Sequence, residues 1–261
     1  MRYNTAMTEK QLHPLGDHAH EFEIKQDPNK KNICYDESHT PHRIDTEIER
    51  MLHERVNRID DELLDAFHAI KHFPKSVTFF GSARFTEDNP YYKKAKRLSS
   101  RICKEGYAVV TGGGPGIMAA GNEGSSTSCH HAVGFNIELP HEQMVNDYIT
   151  HGVSFHYFFT RKVALFFSAE AYVYFPGGYG TLDEFFELVT LIQTKKLPPT
   201  PVILVGAEFW DPVIDMLETL CLDRFKTISP GDLDIFKIMD DEDAILEIIK
   251  KAPLRSEYDY K

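Results

Sequence analysis

The chain has 261 residues, 42% of them hydrophobic, and a formal charge of −11. That length suits one large α/β domain or two small ones with a substantial core. The net negative charge argues against a broad nucleic-acid or membrane footprint, since both partners are anionic. No apolar stretch reaches the ~18–20 residues that a membrane span needs, and residues 1–25 lack the apolar run of a signal peptide. Cys34, Cys103, Cys129 and Cys221 are scattered, with no CxxC pair. The spacing predicts reduced thiols in a cytoplasmic protein, not a disulfide framework or a zinc site. There are thirteen histidines but no HExxH spacing. The nearest approach to a metal cluster, Cys129-His130-His131, runs directly into a predicted strand, so no metal is expected.

In chain order, residues 1–44 are polar and aperiodic and read as an extended or partly disordered arm. Residues 45–73 form an N-terminal helix. Thr46 and Glu49 have capping-box spacing. Ile48, Leu52, Val56, Ile59, Leu63, Phe67 and Ile70 mark one apolar face. Such a helix either lies across a sheet or joins a subunit contact. Residues 74–252 repeat a strand–loop–helix pattern, and 253–261 are a tail. "SVTFFGSA" (76–83) is a strand ending in a Gly-Ser turn, and 90–105 a helix. "YAVVTGGG" (107–114) is a second strand with a glycine loop, and "GIMAAGNEGSS" (116–126) a short helix. "AVGFNIEL" (132–139) is a third strand and "VSFHYFF" (153–159) a fourth. "RKVALFFSA" (161–169) is a helix and "AYVYF" (171–175) a buried strand. A helix spans 181–194, "PVILVG" (201–206) is a strand, and helices follow at about 208–223 and at 241–252. Short Val/Ile/Phe/Tyr runs alternating with helices predict a doubly wound parallel sheet flanked by helices, with the N-terminal helix as an extension.

Ligands of such sheets bind at the carboxyl ends of the strands. Three predicted strands end there in small residues: Gly81-Ser82, Gly112 to Gly116, and Gly177 to Thr181. Glycine lets backbone amides approach a ligand closely, and unpaired amides at a helix start favour an anion. Gly178, Gly180 and Thr181 are therefore candidate phosphate donors. Each glycine taken singly also fits a plain tight turn. Gly114-Pro115-Gly116-Ile117-Met118-Ala119, with Glu138 some 20 residues on, has the GxGxxA spacing of a dinucleotide fingerprint. Thr181 and Glu184 have capping-box spacing, so Glu184 either folds back onto its own helix or faces a substrate.

The stretch "PGGYGTLDE" (176–184) resembles the PGGxGTxxE signature of the LONELY GUY family. "FFGSA" (79–83), "VVTGGGPGIMAAGNEG" (109–124) and Arg161-Lys162 resemble that family's other turns and its Arg-Lys pair. The resemblance covers about residues 75–220. It implies a Rossmann-like domain that hydrolyses nucleoside 5′-monophosphates to free base and ribose 5-phosphate. It resembles bacterial members acting on ordinary purine or pyrimidine nucleotides more than cytokinin-activating ones. The resemblance implies Glu184 as general base or electrostatic stabiliser of a ribosyl cation and Arg161 as its catalytic partner. Gly178, Tyr179, Gly180 and Thr181 would sit on the phosphate. Ser82, Gly112, Gly113 and Met118 would take the ribose and base. Lys162 is expected to be solvated or to face a partner subunit. Glu187, one turn beyond Glu184, either raises that residue's pKa or is a surface charge. The resemblance implies no metal or cofactor, a nucleoside monophosphate as partner, and a homodimer or larger assembly. The family's older lysine decarboxylase label would need a pyridoxal phosphate lysine, for which the sequence gives no signal. Two other readings remain open: a non-catalytic nucleotide or molybdenum-cofactor binder, and a nicotinamide-nucleotide oxidoreductase using the GxGxxA turn.

Overall fold

The computed structural model describes residues 46–139 and 145–254. Seven strands form one sheet: β1 (Ser76–Phe80), β2 (Ala108–Thr111), β3 (Ala132–Ile137), β4 (His151–Phe155), β5 (Ala171–Tyr174), β6 (Val202–Leu204) and β7 (Phe236–Ile238). All neighbouring pairs are parallel, in the order β4-β3-β2-β1-β5-β6-β7. The chain winds outward from β1 through β2, β3 and β4, then returns to β1's other side and winds outward again. The order therefore reverses between β1 and β5, where the loops after the two strands diverge and open a crevice.

Parallel strands covered on both faces need apolar residues at every position. β1, β2, β3, β5 and β6 are buried throughout, while the edge strand β4 has solvent-exposed positions. Alternation sends neighbouring side chains to opposite layers. Phe80, Val110 and Tyr174 join one apolar layer with residues of α4 (Phe158–Phe167), α5 (Tyr179–Gln193) and Trp210 of α6 (Ala207–Met216). Phe79, Val109 and Val173 join the other with α2 (Pro90–Lys104), α3 (Ile117–Cys129) and α7 (Glu242–Lys251). The first helix, α1 (Thr46–Ile70), enters the first layer through Ala66 and Ile70. The apolar face read from the sequence is thus buried only towards its C-terminal end; Leu52, Val56 and the neighbouring Met51 stay exposed.

Several expectations are corrected. "VSFHYFF" is not one strand: β4 stops at Phe155 and α4 begins at Phe158. Aromatic β-propensity there yields to a helix start whose amides are held by a carboxylate from α1. The helix expected at 208–223 is α-helical to Met216 and continues as a π-helical stretch over Leu217–Arg224. A 3-10 turn at Pro230–Ile235 and the strand β7 escaped the sequence reading, because a three-residue edge strand has no legible period. The cysteines differ most. Cys103 at the end of α2 and Cys129 at the end of α3 form a disulfide with Cα atoms 6.0 Å apart. Twenty-six residues separate them in sequence. Packing of α2 on α3, not a motif, brings them together. Gly124 permits that packing, since a Cβ there would lie 2.1 Å from the Lys96 carbonyl oxygen.

Candidate active site

The crevice at the switch point is a cavity of about 720 Å³. Its walls include the turn after β1 (Gly81, Ser82), Gly112 after β2, and the turn after β5 running from Pro176 to Thr181. These turns are locked together through their main chains. The Ser82 amide donates to the Pro176 carbonyl (3.0 Å), and the Ile117 amide donates to the Ser82 carbonyl (3.0 Å). The Ser82 hydroxyl also accepts from the Arg84 amide (3.1 Å). Ser82 can therefore offer a ligand its hydroxyl proton but not its amide.

The glycines divide into two kinds. At Gly116, with φ of +69°, a Cβ would stand 2.2 Å from the Ser82 carbonyl oxygen. That residue closes the GxGxxA turn onto protein backbone, which occupies the approach a pyrophosphate would need. Glu138, the acidic end of the dinucleotide fingerprint, is exposed and faces His156. At Gly177 a Cβ would meet the Thr181 hydroxyl. At Gly178 and Gly180, by contrast, a Cβ would meet nothing within 4 Å. Protein packing does not require glycine at those two positions, and both line the cavity. We expect Gly116→Ala to destabilise the fold by roughly 1–3 kcal/mol or more, from strain and clash. Gly180→Ala is expected to melt within about 0.5 kcal/mol of the parent. Thermal denaturation of the two variants checks both.

α5 begins earlier than expected, at Tyr179, with Gly178 as its N-cap and no side-chain cap. Thr181 is therefore the third helical residue, and of the two readings of the Thr181–Glu184 spacing the capping box is the one that does not form. The amides of Tyr179, Gly180 and Thr181 belong to the first turn, where no intrahelical acceptor exists. Tyr179 lines the crevice and is 95% exposed.

With no cap to make, Glu184 faces α4. Its Oε1 accepts from Nη2 of Arg161 at 3.3 Å, and both side chains are 12% exposed. Burial pushes the Glu184 carboxyl up to about 7; Arg161 pulls it down, Asp183 pushes it up, Lys162 pulls it down, and Glu187 adds a last upward push. Desolvation lowers the Arg161 pKa and Glu184 opposes that shift. Arg161 Nε is buried without an acceptor among the described residues. Gly112 makes room for this guanidinium: a Cβ there would lie 3.4 Å from Nη1 and 2.8 Å from the Met118 sulfur. Met118 also lines the cavity.

Two placements differ from expectation. Lys162 is not solvated: its Nζ reaches Asp183 at 3.0 Å and also contacts Glu187, and its side chain is 17% exposed. Glu187 is thereby paired, and its push on Glu184 is the weakest of the named influences. Gly113 stands outside the cavity wall. Its φ of +73° shapes the turn, and its carbonyl accepts from the Asn146 amide (2.9 Å) and side chain (3.0 Å). Sequence reasoning missed Arg84, Phe85 and Phe209, which complete the cavity. Arg84 and Phe85 follow the Gly81-Ser82 turn directly, a position that was itself the signal. Among the described residues, no group of three or more His, Cys, Asp or Glu stands where it would hold a metal ion. No described helix is long and apolar enough to cross a membrane.

Glycine turns gathered at the switch point of a parallel sheet, beside a buried carboxylate–guanidinium pair, define a doubly wound α/β protein with a crevice at its strand ends. Residues 118–249 match the family model described as "Possible lysine decarboxylase", and the chain belongs to that family. The resemblance drawn from residues 176–184 is borne out at that level. A relative from Rhodococcoides fascians, named cytokinin riboside 5′-monophosphate phosphoribohydrolase, is 26% identical over 162 residues, covering 59% of this chain and 79% of that protein. The protein of that name from Oryza sativa subsp. japonica is 25% identical over 156 residues, and the alignment spans 59% of this chain and 64% of that one. A solved structure of the molybdenum cofactor carrier protein from Chlamydomonas reinhardtii superposes with a TM-score of 0.49 at 18% identity, over 68% of this chain and 97% of that one.

Proposed function

We propose that the protein is a nucleoside 5′-monophosphate phosphoribohydrolase, cleaving the N-glycosidic bond to give free base and ribose 5-phosphate. One observation carries this reading. A carboxyl group with a pKa near 7 lies beside a buried arginine, one helical turn from open, unpaired amides. In the proposed complex the 5′-phosphate sits on the amides of Tyr179, Gly180 and Thr181, where the helix dipole favours an anion. Anchoring that remote group supplies binding energy that aligns the reacting bond. The bond to the base breaks heterolytically, its electrons leaving with the base. The ribosyl cation that develops is stabilised by the Glu184 carboxylate. Water adds to the anomeric carbon and gives up its proton to Glu184, which passes it on through solvent to the departing base and so returns to the carboxylate. Arg161 orients the carboxylate, and its unmatched Nε supplies a donor for a phosphate or ribose oxygen. The names of the Rhodococcoides and rice relatives support the same chemistry.

The decarboxylation in the family description fits poorly. It needs pyridoxal phosphate on a lysine whose amine becomes neutral. No residue lining the cavity is a lysine among those described, and Lys162 is held as a cation between two carboxylates.

A panel of nucleoside 5′-monophosphates, assayed for free base and ribose 5-phosphate, tests the proposal. Equimolar release of both is expected. Tight binding with no release would replace an enzyme with a binding protein. Gly180→Ala, which the fold tolerates, is expected to raise KM at least several-fold by crowding the phosphate. The same reading includes pairing with a second copy of the chain. Exposed Phe158 and Phe159 on α4, with exposed Met51 and Val56 on α1, support it. Sedimentation equilibrium returning only monomers would remove that part.

A further inference from the structure

Helix α4, which carries Arg161, has no side-chain cap of its own; its N-cap residue is Tyr157. The cap comes from α1. Glu62, 7% exposed, accepts from the His156 amide (2.8 Å), the Tyr157 amide (3.5 Å) and the Thr160 hydroxyl (2.5 Å). Arg55, on the same helix, places its guanidinium carbon 5.3 Å from the centre of the Tyr157 ring. At the other end of α4, Phe67 meets Phe167 edge-on, with ring centroids 6.3 Å apart. A cap supplied by a neighbouring residue would only end the helix. A cap supplied from α1 also fixes where the helix start stands relative to the rest of the fold. A buried carboxylate is costly unless its oxygens are satisfied, and here three donors converge on it.

Arg161 follows Thr160 directly, and its bond to Glu184 is already long at 3.3 Å. A small movement of α4 would break it. We infer that Glu62 is a positioning residue for the Arg161–Glu184 pair, acting through the first turn of α4. The inference rests on the catalytic reading above, and it assigns a role to a helix that precedes the matched family region, residues 118–249. The groups facing Glu184 are Arg161 and Lys162 from α4, Asp183 and Glu187 on its own helix, and Tyr174 of β5, whose hydroxyl donates to the Glu184 carbonyl. Of these, the two cations ride on α4. With burial, the largest upward influence on this carboxyl, left unchanged, loosening α4 weakens the pull on the carboxylate and moves its titration to higher pH.

The test uses Glu62→Ala and Glu62→Gln in the full chain, each alone and combined with Arg161→Ala. Glu62→Gln keeps the shape and one acceptor, and serves if the alanine variant does not fold. Glu62→Ala is expected to lower kcat about 10²-fold, the scale of a misplacement near 1 Å, and to shift the acidic limb of the pH–rate profile upward. The glutamine variant should fall between. In the Arg161→Ala background neither change should lower kcat further, because the pair they position is gone. A drop in melting temperature with kcat and the acidic limb unmoved would overturn the inference, as would equal kcat losses with and without Arg161. Carbon NMR of labelled glutamate carboxyls, assigned with Glu184→Gln, reads the Glu184 midpoint without turnover. A midpoint raised by Glu62→Gln in a protein that releases no base would sustain the positioning role and sink the hydrolase. Turnover with an unmoved midpoint would do the reverse.

Discussion

Under the proposed reaction, Glu184→Gln is expected to lower kcat for base release by about 10²–10⁴-fold, the range for a positioned general base, with a much smaller change in KM. The same variant has a signature in stability. Glu184 titrates near 7 in the folded protein against an ordinary value of 4.5. Between those values the native state holds a proton that the unfolded state has released. The wild-type protein therefore loses stability as pH rises through that window, by about 3 kcal/mol in total, and the loss is complete above 7. Glutamine cannot titrate. Relative to wild type, the variant should gain about 3 kcal/mol between pH 4 and pH 8. Denaturant titrations at the two pH values measure it. A carboxylate kept in a site where it costs stability is what a catalytic role predicts and a structural role does not. Under the proposed reaction the active form is the ionised one, so kcat/KM should climb as pH rises through about 7. A flat profile from pH 5 to 9 would contradict this.

Arg161→Ala carries the second large effect. Both members of the pair are 12% exposed, so removing the cation leaves a buried carboxylate unmatched. The expected loss is about 3–5 kcal/mol, as for other broken buried pairs. It should be larger above pH 7, where Glu184 is ionised, than at pH 5, where it is protonated. Activity should fall with it, and the acidic limb should move to higher pH, since the downward pull of Arg161 on Glu184 is lost. Arg161→Lys should recover little. A lysine ammonium is a point charge and cannot present several donors from one plane to a carboxylate and a ligand oxygen together. Full recovery by lysine would show that only charge matters at this position.

Much of this was legible in the sequence. Short β-branched and aromatic runs such as "VTFF" (77–80) and "AYVY" (171–174) announced buried parallel strands, and the glycine positions gave the strand ends that meet at the crevice. The strand order was not legible, because it is a property of packing. The switch point between β1 and β5 emerges only when the chain returns to β1's free side. Within the site, spacing could not decide between a capping and a cleft-facing Glu184. Three residues separate Thr181 from Glu184 in either case, and the outcome turned on α5 starting two residues early, at Tyr179. Contacts between distant segments were likewise hidden. Glu62 reaches a helix start 94 residues away, and Cys103 joins Cys129 through the packing of two helices. Lys162 looked solvent-facing because it neighbours Arg161 on one helix, yet its long side chain reaches the two acids on α5.

The most direct test of the central claim is a hydrolysis run in heavy-oxygen water, with mass analysis of the products from a nucleoside 5′-monophosphate. Attack of water at the anomeric carbon beside Glu184 predicts one heavy oxygen on the sugar carbon of ribose 5-phosphate, reduced with borohydride at early times and labelled beyond an ordinary ribose 5-phosphate control held in the same water to account for aldehyde exchange, and none in the phosphate or the base. Label appearing in inorganic phosphate, or intact nucleotide recovered from a protein that binds it, would contradict the account.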